Sequence, residues 1–228
     1  MKKMMILLTA AIMTMPTFAQ SAAELAKQQQ ELRALHMKML NAKPSKSAKK
    51  EAKELKNNNW QVPAGSLSIE QQITQSQLYQ QEFTVNDNGE TIKRFIVHPA
   101  MQTSGSYNAG YAAARAAAQT EIAGMLKTQL TAAMKNKLDN AQNSAVTATT
   151  VDKFNQRAGS IIDGTLTNAI PVVAIYRVLP NNNYQVQVTI ALDKKEWMAR
   201  IKQNMQKELE VEGDHLNSVV DEAFNNAF

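Results

Sequence analysis

Three histidines, no cysteine and scattered carboxylates are what the chain offers for metal or nucleophilic chemistry. His36, His98 and His215 lie far apart, and none has a second His or a carboxylate cluster at the close spacing a zinc site needs. Asp214 and His215 are adjacent, but consecutive residues on a helix diverge by about 100°, so they do not share an ion. No metal site is expected. Ser104-Gly105-Ser106 lacks the Gly-x-Ser-x-Gly elbow of a hydrolase and reads as a helix N-cap at Ser106. The eight glycines are scattered and no Gly-Lys-Ser/Thr occurs, so there is no phosphate loop, and no cofactor is expected. Asp152 and Asp163 share one predicted helix but have no reason to converge as an acid/base pair. Arg177, within a strand, is expected to form a surface salt bridge. Tyr107 and Tyr111, one helical turn apart, could form a platform but are expected to pack on the core or sheet.

These residues sit in a chain of 228, 44% apolar and 20% charged, which is room for one domain with extensions. The formal charge of +5 is unevenly spread. Between Ser21 and Asn59 nine Lys/Arg face four Asp/Glu, whereas from Trp60 onward fourteen face sixteen. The basic character belongs to an N-terminal arm. A nucleic-acid-binding domain carries its own basic face, so no nucleic-acid partner is expected.

Residues 1–19 read as a secretory signal. Lys2-Lys3 is followed by an apolar run from Met4 to Met15, then Pro16 and the small-residue site Thr17-Phe18-Ala19. The run is about twelve residues, short of the ~20 that cross a bilayer, so export with cleavage before Gln20 is expected. No Cys follows to carry a lipid anchor.

Residues 20–59 then form a basic helical arm, with helices over 21–43 and 45–55 parted by Pro44. The arm is expected to rest on the domain, with weak contact to an anionic membrane surface as the other reading. The domain is expected over 60–228. A capping box, Ser68 with Gln71, opens a helix to about Gln81 with Ile69, Ile73 and Leu78 inward. Phe83-Thr84-Val85, the turn Asn86-Asp87-Asn88-Gly89, and Thr91 to Val97 read as a hairpin, its second strand running on toward Met101. A long helix over 107–139 carries Ile122, Leu126, Leu130, Met134 and Leu138 on one ridge, extended backwards by Ala114 and Ala118. Residues 140–149 read as a loop, and 150–168 as a further helix.

From Ile170 the period becomes two. Strands over 172–179 and 184–192, joined by Pro180-Asn181-Asn182-Asn183, form the clearest hairpin, with one face of the second strand wet. Asp193 and Glu196 read as a capping box for the last helix, where Trp197, Ile201, Met205 and Leu209 point inward. Beyond Gly213, Leu216, Val219, Val220, Phe224 and Phe228 form an apolar stripe, which either folds back on the thin stripe Leu25, Leu32, Leu35 and Met39 of the arm or is the candidate contact surface for a partner or a second copy.

Two stretches carry a resemblance. Tyr107-Asn108-Ala109-Gly110-Tyr111 leads an Ala-rich helix to Ala123. Pro171-Val172-Val173-Ala174-Ile175-Tyr176-Arg177-Val178-Leu179 pairs with Tyr184-Gln185-Val186-Gln187-Val188-Thr189-Ile190-Ala191-Leu192. Over roughly residues 92–200 the chain resembles the Lpp-twenty family of exported bacterial envelope proteins, from which it departs in lacking the lipidated Cys. The resemblance implies a small α+β domain at the outer envelope. Some relatives assist assembly of surface machinery such as flagella, and the family brings no catalytic residues.

The expected fold is therefore α+β: an antiparallel sheet of three or four strands with helices 107–139, 150–168 and 194–212 on one face. The expected function is non-enzymatic, through contacts with envelope proteins or by self-association, in assembly or maintenance of an envelope structure. The alternative is a periplasmic hydrolase or small-ligand-binding protein with a dispersed site.

Overall fold

The computed structural model describes residues 22–85, 89–139 and 168–209. The expected signal (1–19), the expected helix over 150–168 apart from its last residue, and the tail from 210 lie outside the described residues. The chain divides into two compact units, residues 1–39 and 40–228. The first contains most of α1 (Ala22–Leu40). The second contains everything that follows, including α2 (Lys46–Asn57). Residues 40–59 of the expected arm fall in the second unit.

The reason lies in two small residues. Ala48 and Ala52, one turn apart, are fully buried and let α2 lie close against α3 (Ile69–Gln81). Ser45 caps α2 by accepting from Ala48 N at 3.0 Å, and its own N–H donates to Thr74 Oγ1 of α3. Lys56 pairs with Glu70 and holds that carboxyl below the usual carboxylate range. The Ser68–Gln71 capping box of α3 is present in both halves. Tyr79, rather than the half-buried Leu78, is the large side chain that α3 buries.

The α+β class is as expected. β3 (Phe95–Ser104), β4 (Ile170–Val178) and β5 (Tyr184–Asp193) form an antiparallel sheet in the order β3-β5-β4. The β4–β5 hairpin turns through Asn182, which takes a left-handed φ of 60°. The expected strand from Thr91 is two strands. β2 (Thr91–Lys93) pairs with β1 (Phe83–Val85), and after Arg94 the chain re-enters pairing as β3 along β5. Arg94 spans the break with its backbone: its N–H donates to Glu82 O, and its carbonyl accepts from Lys194 N.

On one sheet face, Val186, Val188, Ile190 and Leu192 pack with Ala100 against α4 (Tyr107–Asp139) and α5 (Lys194–Leu209). Ala114, Ala118, Ile122, Leu126 and Leu130 of α4 are buried along the expected ridge, as are Trp197 and Ile201 of α5. The side chains of Met134, Leu138, Met205 and Leu209 lie outside the described residues. α4 approaches closely at Gly110, where an added Cβ would lie 2.6 Å from Val186 Cγ2.

The other face is wet only in part: Pro99, Met101 and Thr103 of β3 are exposed on it, whereas α3 covers the end at Phe95. Phe95 shares this face with Asp193, its partner across β5, and Tyr79 of α3 packs edge-on against it with ring centres 4.7 Å apart. Thr189, Ala191 and Ile175 are buried here too. The strand pattern alone suggested solvent because α3 covers that end with Gln72, Thr74, Gln75 and Ser76, polar side chains that are nevertheless buried. Gln72 Oε1 accepts from Ala174 N at 2.7 Å on the outer edge of β4 while its Nε2 donates to Leu67 O. On the same edge Gln61 exchanges two backbone hydrogen bonds with Tyr176.

Candidate functional site

The five tail residues expected to form a contact surface, Leu216, Val219, Val220, Phe224 and Phe228, lie outside the described residues, as do His215, Asp214, Asp152 and Asp163. Of the remaining chemistry-bearing groups, His98 of β3 meets Glu121 of α4 through Nε2 and Oε2. Glu121 is well exposed and the pair has no third ligand; among the described residues no group of three metal-ligating side chains occurs. Ser106 caps α4, its Oγ accepting from Ala109 N at 3.3 Å, which is the structural role its position suggested. Among the described residues Arg177 meets no carboxylate. It donates to Gln185 Oε1 at 2.8 Å and lies over the Trp60 ring, 5.1 Å from the centroid.

Tyr107 and Tyr111 pack on the sheet as expected, and the fold brings two more tyrosines to them. Tyr107 lies 6.1 Å from Tyr111 and 5.2 Å from Tyr176 of β4, and Tyr176 lies 5.9 Å from Tyr184 of β5. All four are half-buried beside the point where Gly110 meets Val186. Burial, with Tyr111 and Tyr176 adding to it, raises the Tyr107 phenol above its ordinary pKa. These rings close one end of the core.

The more exposed feature is at the other end of the sheet. In the β1–β2 ribbon, Phe83 stands opposite Lys93 and Val85 opposite Thr91, and all four face solvent. Phe83 is 56% and Val85 54% exposed. Thr84 and Ile92 on the reverse face are half-buried. Alternation alone would turn Phe83 and Val85 inward. They point outward because Arg94 separates the ribbon from the main sheet and its reverse face takes the packing. The ribbon tolerates the exposure because its strands are three residues long. Lys93 also borders a cleft beside β3, which the hairpin reading gave no means of locating.

No family model, curated protein sequence or solved structure matches the chain. Among the described residues no helix is long and apolar enough to cross a membrane.

Proposed function

We propose that the protein is a non-enzymatic, exported envelope protein that acts through protein–protein contacts, in assembly or maintenance of an envelope structure. The observation that carries this reading is the pair Phe83 and Val85, more than half exposed side by side on one ribbon face. An exposed aromatic ring is the kind of side chain that protein interfaces are enriched in. The N-terminal export pattern and the resemblance to the Lpp-twenty family support the compartment.

Site-specific photo-crosslinking tests it. A crosslinker placed at Phe83 or Val85 in cells should capture one discrete envelope partner or a second copy. The same group at exposed Lys49 of α2 should not. Fractionation should find the processed chain outside the cytoplasm, beginning at Gln20. Equal capture from both positions, or an unprocessed cytoplasmic chain, would overturn the proposal. Turnover of a substrate abolished by one substitution would favour the hydrolase instead.

A further inference from the structure

The lysines of α2 are sorted onto one face. Lys46, Lys49, Lys50 and Lys53 recur at i, i+3, i+4 and i+7, the spacing of neighbours along one side of a helix. At about 100° per residue they fill an arc of roughly 100°, and Glu51 and Glu54 fall outside it. Ala48 and Ala52 are the buried side, so the lysine arc turns away from α3. All four lysines are exposed, and among the described residues none of them meets a carboxylate. Lys56, near the end of the helix, is the lysine of α2 that does, at Glu70.

This arrangement works against the helix that carries it. Lys46 stands four residues from Lys50, and Lys49 four from Lys53, and like charges at that spacing weaken an isolated helix. Tertiary bonds hold α2 in place regardless. The Ser45 N–H donates to Thr74 Oγ1, and the hydroxyls of Ser45 and Ser47 both donate to Gln77 Oε1. The lysines are thus presented on a helix fixed to α3.

We infer that this face docks on the surface of a bilayer containing anionic phospholipids. The arc offers four ammonium groups along about 10 Å of helix, with no apolar, aromatic or arginine side chain among them. A fluid array of headgroup phosphates needs only such point charges, because the lipids arrange themselves around the ammonium groups. A single-stranded nucleic acid is held by aromatic stacking as well as charge, and a shaped acidic protein gains from forked guanidinium contacts; the arc supplies neither. A convex helix face also lacks the concavity that a small ligand needs. The contact is independent of the role of Phe83 and Val85.

The complete chain has no Cys, so one substituted cysteine carries one label. A nitroxide at exposed Asn57→Cys, on the lysine arc, reads approach to vesicles doped with a nickel-chelating lipid. Exposed Gln129→Cys of α4, on the other side of the sheet from α3, is the control position. Vesicles of phosphatidylglycerol and phosphatidylcholine in equal parts should broaden the first label more than the second, and about 0.5 M NaCl should reverse the effect. Lys49→Gln/Lys53→Gln should weaken binding about twentyfold, from about fivefold for each lysine. Lys127→Gln/Lys195→Gln, an equal change in net charge at exposed positions elsewhere, should leave it within about twofold. Replacing all four α2 lysines by Arg should preserve binding. Replacing all four by Gln should abolish it without lowering the melting temperature, since Gln is a comparable helix former and both like-charge pairs are gone.

Equal binding by the parent and Lys49→Gln/Lys53→Gln, or equal broadening at the two label positions, would overturn the inference. So would binding to pure phosphatidylcholine vesicles as tight as to the mixed ones, which would mean an apolar contact. Tighter binding to a single-stranded oligonucleotide or to polyglutamate than to the mixed vesicles, at equal anion concentration, would overturn it in favour of a nucleic acid or an acidic protein.

Discussion

Arg94 Nε donates to Asp193 Oδ2 at 2.8 Å, joining residues ninety-nine positions apart in the chain. The other oxygen, Asp193 Oδ1, accepts from Glu196 N at 3.1 Å and so caps α5. One carboxylate thereby ties the break between β2 and β3 to the end of β5 and the first turn of the last helix. Only half of the expected capping box is present, because the Glu196 carboxylate turns to Arg200 instead.

Asp193→Ala removes the cap and leaves Arg94, itself only 22% exposed, without its carboxylate. Loss of one member of a buried pair costs about 3–5 kcal/mol, and the partial exposure of Arg94 reduces this to about 3. Asp193→Asn keeps a cap and an acceptor and should lose less. Urea unfolding of the two variants and of Arg94→Ala checks this. The double variant should cost clearly less than the sum of the singles, since they remove one shared interaction.

Helix propensity and packing make opposite predictions at Gly110. Alanine in a helix interior is favoured over glycine by about 1 kcal/mol. Here, however, the added Cβ would press to 2.6 Å from Val186 Cγ2, with the Val186 Cβ at 3.3 Å behind it. Overpacking of this kind costs about 1–3 kcal/mol, so Gly110→Ala should destabilise. Combining it with Val186→Ala, which vacates the methyl, should cost less than the sum of the two changes. Thermal melts of the three proteins provide the comparison.

The late hairpin, the Ser68 box and the ridge of α4 were legible because each is written locally, in a period or a cap three residues long. The β3–β5 pairing was not, since its ten registered pairs join Phe95–Ser104 to Tyr184–Asp193 with no local signal for the partner. Arg94 gave no sign of ending one strand and beginning another. It is neither Gly nor Pro, and only the Glu82 and Lys194 backbone bonds on either side define the break. The sequence does not show which face of α2 docks on the domain, because that face consists of alanines, whose small area contributes little to an apolar stripe. Of the candidate site, the Phe83 and Lys93 strands were legible as a hairpin. The direction of their side chains and the cleft beside them depended on packing by α3, α4 and α5.

Among the described residues the outer edge of β4 is met by the Gln72 side chain at Ala174 and by a short strap at Tyr176. Gln61 donates to Tyr176 O at 2.8 Å and accepts from Tyr176 N at 2.9 Å, and Trp60 beside it lies under Arg177. An uncovered edge strand is a template for pairing with another chain. Gln61→Pro deletes the donated bond and constrains the strap. It should increase aggregation at high concentration more than it lowers the melting temperature. Light scattering, set beside a melt, distinguishes edge exposure from general unfolding.

Tyr79 predicts an alkaline limit to stability. Its ring is buried against Phe95, and desolvation pushes the phenol from the ordinary 10.0 up to about 12, with the charge of Arg94 opposing part of that rise. The unfolded chain therefore gives up this proton near pH 10 while the folded chain retains it to about 12. The stabilisation from keeping the phenol neutral is fully present below pH 10 and is lost as the pH climbs from about 10 to about 12. Tyr79→Phe has no proton to lose and should flatten that part of the stability curve. Loss of the hydroxyl shifts stability by an amount that does not depend on pH. The parent's urea midpoint minus the variant's should thus be steady from pH 7 to about 9.5 and fall above it. Ultraviolet titration of the phenolate band should show one late-titrating tyrosine that the variant lacks. A difference that stays constant through pH 12 would mean that Tyr79 ionises in the folded chain as readily as in the unfolded one.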